Sequence, residues 1–159
     1  MSTYLLTWNP SRYNWQRLPY LVHLSAQGWP VLHDWNCENT KRIRDGDRFF
    51  MLRQGPEPNG IMGSGFVISP KPYPAKQDSS KGRTRGKVFI VDVNFDALLD
   101  PDSDPILPKK LLHSGRLGSV NWDTPRSCIQ IPDDAARDLE SLWQKHLAQI
   151  RFGERVARA

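Results

Sequence analysis

Apolar positions along the chain change their period several times, and each change marks an element. Thr3, Tyr4, Leu5, Leu6, Thr7 and Trp8 form a short, nearly continuous apolar run closed by Asn9-Pro10, which predicts a strand. Pro19 opens a helix, because proline is tolerated in a first turn and not deeper. Leu21, Val22, Leu24 and Ala26 give that helix an apolar side, and Gly28 ends it. Residues 29–40 are rich in Trp, His and Asn and read as a loop. Arg48, Phe49, Phe50, Met51, Leu52 and Arg53 form a strand after the turn signal Asp45-Gly46-Asp47. A connection holding Gly55, Pro56, Pro58 and Gly60 leads into a strand over 61–69, where Gly63 and Gly65 allow a bulge or a close backbone approach. The clearest strand is 87–95, with Phe89, Val91, Val93 and Phe95 alternating with Ile90, Asp92 and Asn94. Pro132 opens the best helix, in which Leu139, Leu142, Trp143, Leu147 and Ile150 share one face. Residues 151–159 read as a tail.

Four or five strands with helices at both ends describe a small mixed domain around a curled sheet. A length of 159 residues suits a single domain over 1–150. No apolar run approaches the roughly 20 residues that span a bilayer. The first residues lack the basic and apolar regions of a signal peptide. The two cysteines, Cys37 and Cys128, are far apart in sequence, so a reduced, cytoplasmic protein is expected.

Charge changes this picture at one place. Between Lys71 and Lys87 stand six basic residues and one acid, so the formal net charge of +5 falls within that segment and the rest of the chain is neutral. A basic loop over 70–87 on a neutral body fits an acidic partner, or simply a solvated loop. The catalytic inventory is thin. The four histidines are scattered, no zinc-type spacing occurs, and no phosphate loop or nucleophile elbow is present. Asp92, Asp96 and Asp100 are the only carboxylates positioned to gather on a metal, and Cys128 reads as core. No cofactor is expected. The tryptophans carry more information. Trp8, Trp35 and Trp122 each lie beside polar turn chemistry, which suits a pocket that stacks a flat ring and hydrogen-bonds its edges. They equally suit a rim that caps the core.

An ordered series of motifs then resembles the EVE-type domains of the PUA-like superfamily. It runs from Leu5-Leu6-Thr7-Trp8-Asn9-Pro10 through Trp35-Asn36-Cys37-Glu38-Asn39-Thr40-Lys41-Arg42-Ile43, Gly46-Asp47-Arg48 and Leu52-Arg53-Gln54-Gly55. It continues through Val91-Asp92-Val93 and Phe95-Asp96-Ala97-Leu98-Leu99-Asp100-Pro101 to Asn121-Trp122-Asp123-Thr124, Ile131-Pro132 and Leu142-Trp143. The subgroup it resembles most is the one fused to HNH nucleases in modification-dependent restriction systems. This chain carries no HNH module, so any nuclease would be a separate partner.

The resemblance implies an α+β fold, a curled mixed sheet or small barrel of five or six strands with flanking helices. It also implies a non-catalytic pocket that accepts a modified base, a modified cytosine in DNA in preference to RNA, flipped from its strand. By motif position the base would meet Trp8, Asn9, Trp35, Asn39, Thr40, Trp122, Thr124 and Ser127, with Trp35 as the stacking wall. Lys41, Arg42, Lys76, Lys81, Arg83, Arg85 and Lys87 would meet phosphates. Two departures stand out. The family's tryptophan before the Val-Asp-Val strand is missing, which leaves Tyr73 as that wall or leaves the wall absent. Pro125 and Cys128 replace the Gln and Gly of the closing Trp-x-Thr-Gln-Ser-Ser-Gly pattern. Two other readings stay open: an RNA-binding module indifferent to modification, and a protein-interaction domain with a degenerate pocket.

Overall fold

The computed structural model of the chain describes residues 1–75 and 88–158. Its strands are β1 (Thr3–Trp8), β2 (Val31–Asn36), β3 (Arg48–Arg53), β4 (Gly60–Val67), β5 (Tyr73–Pro74), β6 (Phe89–Leu98), β7 (Leu107–Pro108) and β8 (Ile129–Ile131). Helix α1 (Leu18–Ala26) follows β1, and α2 (Asp133–Arg158) closes the chain. All the strands join one sheet in the order β2-β6-β4-β3-β1-β8, with β5 added to β6 and β7 to β4. Among the described strands, β1 and β3 alone pair in parallel. This is the α+β class the sequence implies, with a mixed sheet of eight strands.

The extra strands have physical reasons. β5 and β7 are two residues long and carry no periodicity to read. β2 lies in the stretch that reads as a loop. It pairs antiparallel with β6 from Val31↔Phe95 to Asn36↔Ile90. Its inward positions are Val31, His33 and Trp35, and the histidine between the apolar pair hides the alternation. His33 is accommodated there by stacking on Trp15, with ring centroids 5.2 Å apart.

β1 and β3 are apolar on both faces because both faces are covered. Leu6, Trp8, Phe49 and Met51 enter one core with α1, Val31, Trp35, Val93 and Phe95. Leu5, Phe50 and Leu52 enter a second core with Leu117, Trp122, Leu139, Trp143 and Leu147 under α2. Between β3 and β6 the sheet is drawn tight at Gly65. A Cβ there would stand 2.8 Å from the Phe49 ring, and the β4–β6 register shifts beside it.

Arg48 clamps α2 to the sheet. Its guanidinium is nearly buried and donates to Asp96 Oδ2 at 2.6 Å and to Glu140 at 2.9 and 3.1 Å. Phe50 and Phe66 stack on its guanidinium carbon at 5.1 and 4.7 Å. Ser64 links this network to the core, donating to Asp96 and accepting from Trp143 Nε1. The helix runs on through residues that read as a tail, since nothing after Ile150 breaks it except Gly153.

The two edges of the sheet are β2 and β8. Cys37 follows β2 and Cys128 precedes β8, and the two form a disulfide with Cα atoms 5.1 Å apart. This corrects the expectation of reduced cysteines. Their separation of 91 residues hides a proximity that the curl of the sheet creates. Cys128 is core, as read, but as half of a staple across the open seam.

The clamp predicts an asymmetry. Arg48→Met leaves two partly exposed carboxylates that can rehydrate, and should cost about 1.5–3 kcal/mol. Replacing both Asp96 by Asn and Glu140 by Gln leaves a buried cation unpaired and should cost more, about 3–5 kcal/mol. Urea denaturation of the two variants checks the order.

Candidate functional site

The seam does not close completely. Where β1, β2 and the approach to β8 diverge, a cavity of about 490 Å³ opens. Thr7, Trp8 and Asn9 come from β1 and its end, Asp34, Trp35 and Asn36 from β2, and Pro125 and Ser127 from the segment before β8. Arg12, Tyr13, Glu38, Gln54 and Ile90 complete its lining.

Backbone hydrogen bonds fix the two tryptophans. Trp8 Nε1 donates to the Tyr13 carbonyl at 2.9 Å, and Trp35 Nε1 donates to the Thr7 carbonyl at 3.3 Å. With their N–H groups engaged, both indoles offer only rings to a ligand. Trp15 supports them from the core, with centroids 5.4 Å from Trp8 and 5.0 Å from Trp35. Tyr13 meets Trp35 edge-on at 5.8 Å. The wall is therefore a packed aromatic group held in place before any ligand arrives.

Polar groups surround that wall. Ser127 Oγ accepts from the Thr7 amide at 3.2 Å, and its hydroxyl hydrogen faces only a weak sulfur acceptor, the Cys128 Sγ of the disulfide at 3.8 Å. Asn9 Oδ1 accepts from the Ser11 amide at 2.9 Å, and its Nδ2 has no partner among the described residues. Gln54 Nε2 donates to the carbonyls of Thr124 at 2.7 Å and Trp122 at 3.4 Å, so Oε1 remains an acceptor. Asp34 and Glu38 bring two carboxylates, and Arg12 one cation. Gly55 sets the position of Asn9. It holds φ 82°, and a Cβ built on it would stand 2.5 Å from Asn9 Oδ1.

Of the residues named from sequence, the cavity brings together Trp8, Asn9, Trp35 and Ser127. It leaves out the others. Trp122 is buried in the second core, with Nε1 bonded to the Leu117 carbonyl at 2.9 Å. Thr124 is buried too and reaches the cavity only by holding Gln54 through its carbonyl. Asn39 and Thr40 follow the disulfide and are absent from the lining. Tyr73 pairs with Ile90 on the sheet, and its hydroxyl donates to Asp92 Oδ1 at 2.6 Å. Burial, this hydrogen bond and the negative charges of Asp92 and Asp34 push its phenol up to about 12. Lys41 and Arg42 are exposed just beyond Thr40, with Lys41 lying 5.1 Å over the Phe89 ring. Lys76, Lys81, Arg83, Arg85 and Lys87 lie outside the described residues.

Sequence reading misses Arg12, Tyr13, Asp34, Glu38 and Gln54 as lining residues. Glu38 and Gln54 stand inside the motifs that carry the family resemblance, which is the signal that marks them. Of the three carboxylates named for a metal, Asp96 pairs with Arg48, Asp92 accepts from the Tyr73 hydroxyl, and Asp100 accepts from the Asp102 amide. Among the described residues, no group of three or more His, Cys, Asp or Glu is placed to hold a metal. No described helix is long and apolar enough to cross a membrane.

The disulfide braces two walls of the cavity, since Glu38 and Ser127 are the neighbours of its cysteines. Cys128 has φ 60°, a left-handed conformation natural to glycine. A glycine at this position would hold that conformation without strain, which accords with the glycine the family resemblance implies there. Reduction with a phosphine should lower stability by about 2–4 kcal/mol. The double substitution Cys37→Ser, Cys128→Ser should do the same without reductant, and denaturation curves in both conditions measure it. A pH effect comes from His33. Burial lowers its pKa below the ordinary 6.5, partly opposed by Asp34 and aided by Arg17. The unfolded chain therefore binds the proton first as pH falls. Stability should be full above pH 6.5 and decline below it, and His33→Gln should flatten that decline in melting curves from pH 7.5 to 5.

Comparison with known proteins agrees with this architecture. A Leishmania major protein of solved structure superposes with a TM-score of 0.62 at 14% identity, covering 91% of this chain and 96% of that one. A Pseudomonas syringae protein gives 0.62 at 16% identity, covering 89% and 99%. One from Rhodopseudomonas palustris gives 0.59 at 19%, covering 91% and 94%. At these identities the likeness shows the fold alone. No curated protein matches the sequence. The family profile of the EVE domain matches residues 2–141, nearly the whole described body. The chain thus belongs to the EVE domain family, a PUA-like nucleic-acid-binding family.

Proposed function

We propose that this protein is a non-catalytic reader of a modified base, with cytosine the favoured parent and DNA the favoured strand. The observation that carries this reading is the cavity at the seam. Two indoles are held ring-first by their own N–H bonds, beside carboxylates and free donors. A flat ring fits the aromatic wall. An exocyclic amine, which cytosine presents and thymine lacks, is matched by the Asp34 or Glu38 carboxylate. Ser127 Oγ–H and Asn9 Nδ2 suit the ring nitrogen and carbonyl acceptors of the same base edge.

Magnitudes shape the mechanism. Flipping a base costs a few kcal/mol from a duplex and less from a single strand. Stacking one base returns about 1–3 kcal/mol. Pocket and flip nearly balance, so contacts to the strand must supply the surplus. Burying a methyl group contributes only about 0.8 kcal/mol, roughly fourfold. A larger preference needs a hydroxyl-bearing modification that hydrogen-bonds in the cavity, or a polar group there left unpaired by the plain base.

Fluorescence anisotropy with matched oligonucleotides tests the reading. Oligonucleotides carrying 5-methyl- or 5-hydroxymethylcytosine should bind at least severalfold tighter than the plain strand. Asp34→Asn, an exposed position, should weaken binding of modified and plain cytosine strands alike without unfolding the protein, since both present the amine. Trp35→Ala should abolish the preference, but Trp35 also packs in the core, so its fold is checked by melting. Equal binding of modified and plain strands sinks the reading, and structured RNA outcompeting both points to the modification-indifferent module instead.

A further inference from the structure

A second cavity adjoins the first. It has a volume of about 350 Å³ and shares Asn9, Arg12, Gln54 and Pro125 with it. Gly55, Asn59, Lys109 and Asp123 complete its lining. The two chambers differ in charge. The first holds two carboxylates, Asp34 and Glu38, against the single cation Arg12. The second holds two cations, Arg12 and Lys109, against the single carboxylate Asp123. Arg12 stands at the junction.

This division matches the chemistry of one nucleotide. The acidic chamber suits a base edge that donates, and the basic chamber suits an anion that only accepts. Lys109 is held ready: its backbone amide donates to the Asn59 carbonyl at 2.9 Å, and its ammonium meets Asp123 Oδ1 at 2.5 Å. That pair is largely open to water on the Asp123 side, where the carboxylate is 70% exposed, so it is weak enough to share its cation. An ammonium has three donors and can keep Asp123 while engaging a second oxyanion. The amides of Asn9 and Gln54 line the passage between chambers and offer neutral contacts to a sugar.

We propose that the second cavity is a phosphate subsite, in which Lys109 and Arg12 bind the phosphate adjoining the base held in the first. The proposal rests on the base-pocket reading and adds the strand contact that reading requires. It places that contact on Arg12 and Lys109, which lie outside the basic segment over 70–87 in the sequence.

Calorimetry with deoxycytidine, its 5-methyl and 5-hydroxymethyl forms, and the 3′- and 5′-monophosphates of each tests it on the full chain. In low salt one monophosphate series should bind on the order of tenfold tighter than its nucleosides. Raising the salt should shrink this advantage while leaving nucleoside binding nearly unchanged. Lys109→Gln should erase the advantage. Asp123→Asn should enlarge it by freeing the ammonium. Both substitutions break the same ion pair, so a purely structural role for the pair would move both variants the same way. Nucleosides binding as tightly as their monophosphates overturns the subsite and leaves the base pocket standing. Both variants shifting the advantage in one direction does the same. Failure of every nucleoside and every monophosphate to bind overturns both readings together.

Discussion

The seam of the curled sheet is the constraint on which the rest depends. Its edges, β2 and β8, come together without pairing, so backbone groups and side chains there must be satisfied in other ways. The chain meets this demand with a covalent staple between Cys37 and Cys128 and with side chains that reach across the gap. Trp35 on β2 donates to the Thr7 carbonyl on β1, and Ser127 accepts from the Thr7 amide. One residue of β1 thus receives both edges. The cavity is what remains open beside that junction, and its lining joins β1 and β2 with the segment that leads into β8.

The opposite face of the sheet works differently. There α2 covers the strands, and the polar network beneath it centres on one arginine between two carboxylates, packed against two phenyl rings and joined to Trp143 through Ser64. Neither partner carboxylate is fully buried, so the pair avoids most of the desolvation that makes buried ion pairs costly. The fold therefore has a firmly closed side under α2 and a side bridged by single contacts. A binding site on the second side can be reshaped at few positions without disturbing the helix clamp.

How much of this the sequence shows depends on the residue. The helix face of Leu139, Trp143 and Leu147 is legible because one apolar stripe faces one core. The strand alternation at Phe89, Val91, Val93 and Phe95 is legible for the same reason. β2 is hidden because its inward histidine stacks on Trp15 in the fold's first loop, and periodicity carries no record of such a partner. Trp122 misleads in the other direction. Its flanking Asn121 and Asp123 are exposed, while its ring turns into the second core and satisfies its N–H on Leu117. Gln54 has an ordinary polar side chain, and its role appears only when the Trp122 and Thr124 carbonyls are seen beside it. Family order names Trp35 and Asn9, which line the cavity, but it does not tell side-chain lining from backbone support.

Gly55 brings a different consequence. It has no side chain to offer a ligand, yet the space it leaves empty is what allows Asn9 to stand on the rim common to both chambers. Any larger residue must displace Asn9, and it must also adopt a backbone angle that side chains disfavour. A substitution here would therefore disturb the rim although the residue itself offers no side chain to it. Side chains at Asp34, Glu38 or Ser127 can be exchanged one at a time without touching that packing, while position 55 fixes the frame in which they stand.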